Sequence, residues 1–432
     1  MLSSTDQSNR GKTPLNGVYA WNLPGESVVL DSGPIWLAGE ELAGKVLMST
    51  DAGLGIKWEI NGADFQGNAI IELKVVRPDI GLQPMSGWIT NTLGVGKFME
   101  PQQFGAGDSI VRVVTHWFNM PQIFPAERLQ VGGSHWSGRW SCDVDGWILT
   151  LDCRHDHTSV FMDADATPKA VMTHIGELRK ENGSAFDSTT VENVLFAFQM
   201  AFSFAFGRWV APALPVGFDA SGTRVWEQWV DWRCDEVHRY GGWADTHRSD
   251  DLRDYVRLFV AAWLDPAHHD IVKYFAHHVI AGNHSGTTVE GRIMIVQAGM
   301  EYLSWVDNVL AKKLSARKYE SQYKNAHDVV RGLLETANIP TEVPIELDVL
   351  STVVCEKKLD GPESVTRVRN KLVHPKKPAE VYQIEGLVVQ AWQLSMHYGD
   401  LLLLSRLGYH GKYMPRFPPG RWAHSSVDVP WK

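Results

Sequence analysis

The chain has little cysteine and no excess of basic residues. Four cysteines are scattered over 432 residues, too few for a disulfide framework, so a cytoplasmic, reducing compartment is expected. The net charge of −9 excludes a protein that coats nucleic acid non-specifically, because phosphate binding needs a clear excess of lysine and arginine. Any contact with nucleic acid must therefore be local.

Long apolar runs are also missing. The best candidate, 194–206, is shorter than the ~18 uncharged residues that a membrane span needs, so no membrane partner is expected. Residues 1–17 lack the apolar segment of a signal peptide and are predicted to form a flexible N-terminus. The length of 432 residues predicts two or three domains.

The first half of the chain is predicted to be β-rich. From about residue 18 to residue 162, short apolar or alternating runs are separated by Gly, Pro, Asp and Asn, a pattern typical of an antiparallel sandwich or barrel. The clearest runs are Ser27–Leu30, Gly44–Met48, Gly55–Ile60, Ala69–Val76, Ser109–Trp117, Gly138–Val144 and Trp147–Asp152.

Two helices and two further strands are predicted to complete this region. Helical spacing indicates helices at Ala166–Asn182 and Thr189–Phe206, and strands are expected at Trp209–Leu214 and Thr223–Trp229. Residues 18–249 are therefore predicted to form a sandwich-like β-rich region with two helices.

Residues 250–432 are predicted to be all-helical, because helical periods are long there and Gly and Pro are few. The expected helices are 251–264, 267–281, 287–314, 319–337, 345–358, 362–373 and 380–407. The predicted fold class is thus α+β, with a β-rich region followed by a helical bundle.

One short helix carries a motif of residue types that take part in catalysis. The segment Glu363–His374 is amphipathic, and Pro375 ends the helix because a residue before proline avoids the α conformation. On a regular helix, Arg369 and His374 would lie roughly 140° apart around the axis. A chain that leaves the helix at His374 can turn the imidazole back towards the guanidinium.

At this point the chain resembles the HEPN superfamily, whose signature is Arg, a polar residue and, a few positions later, a His that ends a helix of a four-helix bundle. Arg369, Asn370 and His374 match this signature, and Glu301 stands where many HEPN domains have an acidic residue. The resemblance implies a metal-independent endoribonuclease without a cofactor, with a site formed across a homodimer, which is expected alone or within a higher homo-oligomer.

The residue types fit the chemistry that the resemblance implies. The His374 imidazole would take the proton of a ribose 2′-hydroxyl, and Arg369 would hold the phosphate oxygens. Asn370 would orient the phosphate, and Glu301 would hold an Arg or a His. Residues 361–380 contain five basic residues against two glutamates, and those expected to bind RNA are Arg367, Lys371, Lys376 and Lys377.

A second resemblance covers more of the chain. The strings at 172–176, 407–413 and 429–431 are similar to those of large bacterial HEPN proteins of the ApeA type, which are single-chain anti-phage systems. This resemblance implies that the N-terminal region senses a phage-derived trigger and that RNA cleavage arrests the infected cell by abortive infection.

Other interpretations stay open. A silent HEPN bundle would only dimerise, leaving a non-catalytic scaffold whose β-rich part binds a protein or a glycan. In a further interpretation, the product of a second gene neutralises the domain. The histidines at 268, 269, 277, 278 and 284 favour packing or surface positions over a metal response, and the run Cys153–His157, with Cys142 before it, favours a polar turn over a zinc site.

Overall fold

A computed structural model describes residues 11–51, 53–61, 70–89, 94–98, 100–167, 169–237, 241–377, 379–417 and 425–432. The chain divides into two compact units. The first comprises residues 1–199 and 210–239, and the second comprises residues 200–209 and 240–432. The sequence predicted a boundary at 249/250, whereas this division falls at 239/240. The predicted α+β class is confirmed.

Strands in the first half of the first unit close into a barrel. They are β1 (Val28–Asp31), β2 (Pro34–Leu37), β3 (Glu40–Ser49), β4 (Gly55–Ile60), β5 (Ile70–Arg77), β6 (Gly81–Ile89) and β7 (Val95–Phe98). The order around the ring is β3, β2, β5, β6, β7 and β4, and the ring closes because β4 pairs with both β7 and β3. Strand β1 is not part of the ring and pairs with residues 46–48 of β3, beyond the part of β3 that pairs with β2.

Alternating side chains fill the barrel, with Trp58 at its centre. Every second residue of β4 is buried, and the Trp58 side chain has no exposed surface. A Cβ atom at Gly87 would lie 2.5 Å from Nε1 of this indole, and one at Gly96 would lie 2.0 Å from its Cζ2. The two glycines therefore make the space that the indole occupies.

A second antiparallel sheet completes the β-rich unit. Its strands are β8 (Gln102–Phe104), β9 (Arg112–Phe118), β10 (Glu127–Val131), β11 (Ser134–Val144), β12 (Trp147–Cys153), β13 (Met172–Lys180), β14 (Ala211–Phe218) and β15 (Arg224–Trp229). The order across the sheet is β10, β11, β12, β13, β9, β14, β15 and β8. Helix α1 (His157–Ala166) links β12 to β13, and α2 (Ser188–Phe206) follows β13.

The prediction of a helix at Ala166–Asn182 was wrong, because most of this segment is strand β13. The strand lies between β12 and β9, and both of its faces are buried along most of its length. A strand buried on two faces does not alternate between apolar and polar residues, so its spacing imitates that of a helix. The actual first helix is α1, which was not predicted.

The barrel and the second sheet share one core and one buried ionic network. The core contains Trp58 from the barrel and Trp229 from the sheet. Glu227 in β15 is fully buried and accepts hydrogen bonds from Arg77 Nε (3.0 Å) and Nη2 (2.9 Å) in β5. It also accepts bonds from Arg224 and from the indole of Trp229. These bonds link the barrel to the sheet within the first unit.

The second unit is helical. Its helices are α3 (Ser249–Leu264), α4 (His269–Asn283), α5 (Val289–Trp305), α6 (Ala316–Gln322), α7 (Ala326–Thr336), α8 (Asp348–Lys357), α9 (Gly361–Val373) and α10 (Leu387–Arg406). Helix α10 contacts α4, α5, α7, α8 and α9, so it is the centre of the bundle. A short hairpin follows, β16 (Lys412–Tyr413) with β17 (Val427–Asp428). Each helix among the described residues is too short or too polar to cross a bilayer.

Three predicted helices differ in the structure. The helix expected to reach residue 314 ends at Trp305 and continues as a π-helix, Val306–Leu310. The helix expected at 319–337 is two helices, since Asn325 and Asp328 form a capping box that starts a new one. The last helix begins at Leu387, because Gly386 before it has a positive φ of 80°.

Candidate functional site

Helix α9 is fixed at its start by a cap and by close packing. The Asp360 carboxylate accepts a hydrogen bond from the Glu363 amide (2.8 Å) and another from Arg331 Nε in α7 (2.6 Å). At Gly361 a Cβ atom would lie 1.9 Å from the hydroxyl of Tyr398 in α10, so only glycine allows this approach. Val365 and Val368 are buried on the inner face. The helix carrying the motif is therefore rigidly held.

Helix α9 ends where the sequence predicted. The helix ends at Val373, and His374 is the C-cap with φ −129° and ψ 62°, outside the helical region. Its amide still donates to the Asn370 carbonyl (2.7 Å). The His374 imidazole is exposed and, within the described part of the chain, has no hydrogen-bond or ionic partner.

Arg369 and Asn370 form the second part of the motif. Arg369 Nη1 donates to the Asn370 side-chain oxygen (3.2 Å), while Asn370 itself is exposed. The Nε of Arg369 is buried and has no hydrogen-bond partner among the described residues. This guanidinium is thus positioned by its neighbour, and because its Nε is buried, an anion would have to bind at its Nη groups.

The basic residues predicted to bind RNA lie in α9 and in the turn after it. Arg367 pairs with Glu363 (2.8 Å), and Lys371 pairs with Glu380 (2.7 Å). The Lys371 ammonium lowers the pKa of the Glu380 carboxyl by a direct hydrogen bond. The cations still unpaired there, in the described part of α9 and the turn after it, are Arg369, Lys376 and Lys377.

Glu301 does not join the motif. It lies partly exposed in α5, and among the described residues it makes no hydrogen bond or ion pair with Arg369, Asn370 or His374. Its charge instead contributes to a raised pKa of Tyr319 in α6, which is chiefly caused by burial and is opposed by the bond to Ser304.

Two features near the motif were not predicted. Apolar side chains are exposed after the end of α9: Val373 (41% exposed), Tyr382 (53%), Ile384 (41%) and Val389 (44%). The short 3-10 helix Glu380–Gln383, which includes Tyr382, contacts both α9 and α10. These side chains follow no helical spacing in the sequence, so only the fold reveals that they are exposed at the end of α9, in the 3-10 helix and after it.

A cavity in the same unit lies apart from the motif. It has a volume of about 380 Å³, and its lining includes Asn308, Lys313 and the ion pair of Asp307 with Arg406 (2.6 Å). Neither Arg369 nor His374 lines it. The candidate site is therefore an exposed surface at the end of α9 rather than an enclosed pocket.

The histidine-rich segment 268–284 and the run Cys153–His157 were weighed as metal sites in the sequence and set aside. Among the residues that the structure describes, no three histidine, cysteine or acidic side chains come together to hold a metal ion. His269 and His278 bond instead to the backbone carbonyls of Trp263 and Tyr274. Cys142 and Cys153 are buried within β11 and β12, and their thiols donate to the backbone carbonyls of Asp143 and Ser137.

The fold and the motif define a protein with a β-rich unit followed by a helical unit that presents an arginine and a histidine at one helix end. The chain is similar to YopA proteins in both parts. The YopA central domain matches residues 105–240, and the YopA C-terminal domain matches residues 265–428, which includes the motif. The barrel lies before both matches.

The chain is also similar to one curated protein. The SPbeta prophage-derived uncharacterized protein YopA of Bacillus subtilis (strain 168) is 25% identical over 321 residues, which cover 71% of this chain and 68% of the relative. No solved structure matches the chain.

Proposed function

We propose that the chain is a metal-independent endoribonuclease of the HEPN type, with Arg369 and His374 at the reacting phosphate. The observation that carries the proposal is the end of α9. There an exposed imidazole follows a helix stop, five residues after a guanidinium that Asn370 orients and whose buried Nε has no hydrogen-bond partner among the described residues. Imidazole and guanidinium together supply a base and an anion clamp.

The proposed reaction is an internal transfer at phosphorus. The His374 imidazole takes the proton of the ribose 2′-hydroxyl, and the 2′-oxygen forms a new bond to the adjacent phosphorus. The bond from phosphorus to the 5′-oxygen breaks, and that oxygen receives a proton from the imidazolium of a second copy. The products are a 2′,3′-cyclic phosphate and a 5′-hydroxyl. Arg369 stabilises the charge on the non-bridging oxygens.

A homodimer is part of the proposal, because the motif of one chain contains a single histidine and the reaction uses two imidazoles. The exposed apolar side chains beside the motif offer a surface that a second copy would cover. The unpaired Lys376 and Lys377 would then lie on both sides of a shared groove and attract RNA.

The proposed setting is conflict between phage and host in the cytoplasm. The relative is described as prophage-derived, which agrees with a role in such a conflict. We infer that the β-rich unit holds the enzyme inactive until it meets a phage-derived trigger, and that RNA cleavage then causes abortive infection.

The test is cleavage of total cellular RNA by the purified chain in EDTA. We expect cyclic-phosphate ends, and a rate at least about 100-fold lower in His374→Ala and in Arg369→Lys. His410→Ala and Arg317→Lys are matched controls at exposed positions elsewhere in the helical unit and should keep the full rate.

A mixture of wild-type and His374→Ala chains tests the shared site. An excess of the variant should lower the activity of each wild-type chain, because a mixed dimer contains one imidazole where the reaction uses two. Full cleavage by His374→Ala contradicts the proposal. So does the absence of cleavage by the wild-type chain both in vitro and in phage-infected cells, and that result favours a scaffold that only dimerises.

A further inference from the structure

The cavity of the helical unit lies where α5 continues as the π-helix Val306–Leu310, and it is called the π-helix cavity. Its walls come from the end of α5, the π-helix, α7 and α10, with Lys313 and Tyr323 added from the loops before and after α6. Turns of π-helix are rare and are frequently found at functional sites. The cavity is therefore a candidate ligand site separate from α9.

The walls of the π-helix cavity are held by close packing and by hydrogen bonds. A Cβ atom at Gly332 of α7 would lie 2.9 Å from Cε1 of Tyr323, so glycine lets the phenol ring lie against the helix. The Asn308 Nδ2 donates to the carbonyl of the buried Ser304 (2.9 Å), whose hydroxyl accepts a bond from Tyr319 (3.0 Å). The phenol ring and the Asn308 amide are thus positioned by the fold itself.

Several polar groups of the lining keep hydrogen-bonding capacity. Within the described residues, the Lys313 ammonium has no ionic or hydrogen-bond partner, and the hydroxyls of Tyr323 and Ser405 form no hydrogen bond. Arg406 uses Nη1 for Asp307 Oδ1 (2.6 Å), which leaves its other nitrogens and the second carboxylate oxygen available. Polar groups that converge on one cavity in this way indicate a ligand site.

The charges of the lining favour a ligand with one anionic group. Arg406 is neutralised by Asp307, so Lys313 provides the single uncompensated charge among the residues that line the cavity. The acidic residues of α5, α6, α7 and α10 lie outside this lining: Glu290, Glu301, Glu320, Asp328, Glu335 and Asp400. One ammonium group suits one phosphate.

The remaining groups favour a ligand rich in hydroxyls. Asp307 and Asn308 present side-chain oxygens, which accept hydrogen bonds from hydroxyl groups. Three buried side chains add an apolar part to the wall, against which the C–H groups of a sugar ring would pack: Leu303, Leu333 and Leu402. The volume of about 380 Å³ is at the lower end of small-molecule sites, so it suits a single small molecule rather than a polymer.

We propose that the π-helix cavity binds a small sugar phosphate. Lys313 holds the phosphate, and the oxygens of Asp307 and Asn308 accept hydrogen bonds from the sugar hydroxyls. The inference does not rest on the nuclease proposal, because neither Arg369 nor His374 lines the cavity.

The test is isothermal titration calorimetry of the full-length chain with ribose 5-phosphate and glucose 6-phosphate, and separately with ribose and with inorganic phosphate. We expect at least one sugar phosphate to bind more tightly than ribose or inorganic phosphate, because its two parts contact different groups. Lys313→Gln should lower the affinity for this sugar phosphate by about 10- to 100-fold, which corresponds to the loss of one charge-assisted hydrogen bond.

Two further variants separate the sugar from the phosphate and provide a control. Asn308→Ala should weaken binding of the sugar phosphate by about 2- to 10-fold through the loss of one neutral hydrogen bond, and it should leave binding of inorganic phosphate unchanged. Lys357→Gln removes another exposed lysine without an ion pair in the described chain, on α8 outside the cavity, and should keep the full affinity. Thermal unfolding midpoints equal to that of the wild type show that Lys313→Gln and Lys357→Gln are folded.

Several results would overturn the proposal. They are no binding of either sugar phosphate, an affinity that Lys313→Gln leaves unchanged, and an equal loss in Lys357→Gln. If inorganic phosphate binds as tightly as both sugar phosphates, the cavity recognises an anion alone and the proposal is wrong.

Discussion

The buried histidine of β9 should make the first unit sensitive to mild acid. His116 has no exposed surface, and its Nε2 accepts hydrogen bonds from the backbone amides of Val18 (3.1 Å) and Tyr19 (3.2 Å). Its Nδ1 donates to the Leu214 carbonyl (3.1 Å). A proton on Nε2 would break both accepted bonds and place a charge in the core, so burial lowers the pKa of His116 to about 4.

The size of the effect follows from the difference between the two pKa values. The unfolded chain takes up the proton near pH 6.5, whereas the folded chain resists it down to about pH 4. The stability that the neutral ring contributes is fully present above pH 6.5 and is lost as the pH falls through 4. A difference of about 2.5 pH units corresponds to about 3 kcal/mol of unfolding free energy.

The assay is urea unfolding followed by tryptophan fluorescence, at intervals from pH 7.5 to pH 4. In His116→Gln the amide does not titrate, so its unfolding free energy should fall less steeply than that of the wild type, by up to about 1.4 kcal/mol per pH unit. His135→Gln, at an exposed position on β11, should follow the wild type. Parallel curves for wild type and His116→Gln would refute the reasoning.

Two further substitutions, one inside each unit, test buried contacts. Gly96→Ala should push against the buried indole in the barrel and lower the unfolding free energy by about 1–3 kcal/mol. Gly133→Ala, where the added Cβ meets open space, should change it little. Urea unfolding midpoints measure both effects, and equal midpoints for the two variants would contradict the barrel packing. Asp400→Asn leaves the buried guanidinium of Arg416 without its counter-charge and should cost about 3–5 kcal/mol in thermal unfolding, while the same change at exposed Asp428 should cost under about 1 kcal/mol. A small loss at Asp400 would show that this pair is solvated.

The elements that could be predicted are those whose pattern depends on a single exposed face. Strand β4 alternates between partly exposed and buried residues, and α9 has a buried stripe, a polar face and proline just beyond its end. In both elements one side faces water, so apolar and polar residues alternate with the period of a strand or of a helix. The end of α9 at His374 was predictable because Pro375 follows it.

The errors have a different physical cause. Strand β13 is covered on both faces, and the π-helix Val306–Leu310 continues the α-helix without any break in composition. The closed barrel depends on β4 pairing with β3 and with β7, and the sequence does not specify such contacts between distant strands. The exposed side chains around Tyr382 became a surface only through the contacts of the 3-10 helix with α9 and α10.

The end of α9 explains why we propose a shared site rather than a complete one in each chain. A general base must be held within hydrogen-bond reach of the proton that it removes. In the described part of one chain nothing orients the His374 imidazole, while the Arg369 guanidinium of the same helix is already fixed by Asn370. A second copy covering the neighbouring apolar side chains would supply the missing constraint, and it would bring the second imidazole that the leaving oxygen requires. Dimerisation and catalysis should therefore depend on the same surface.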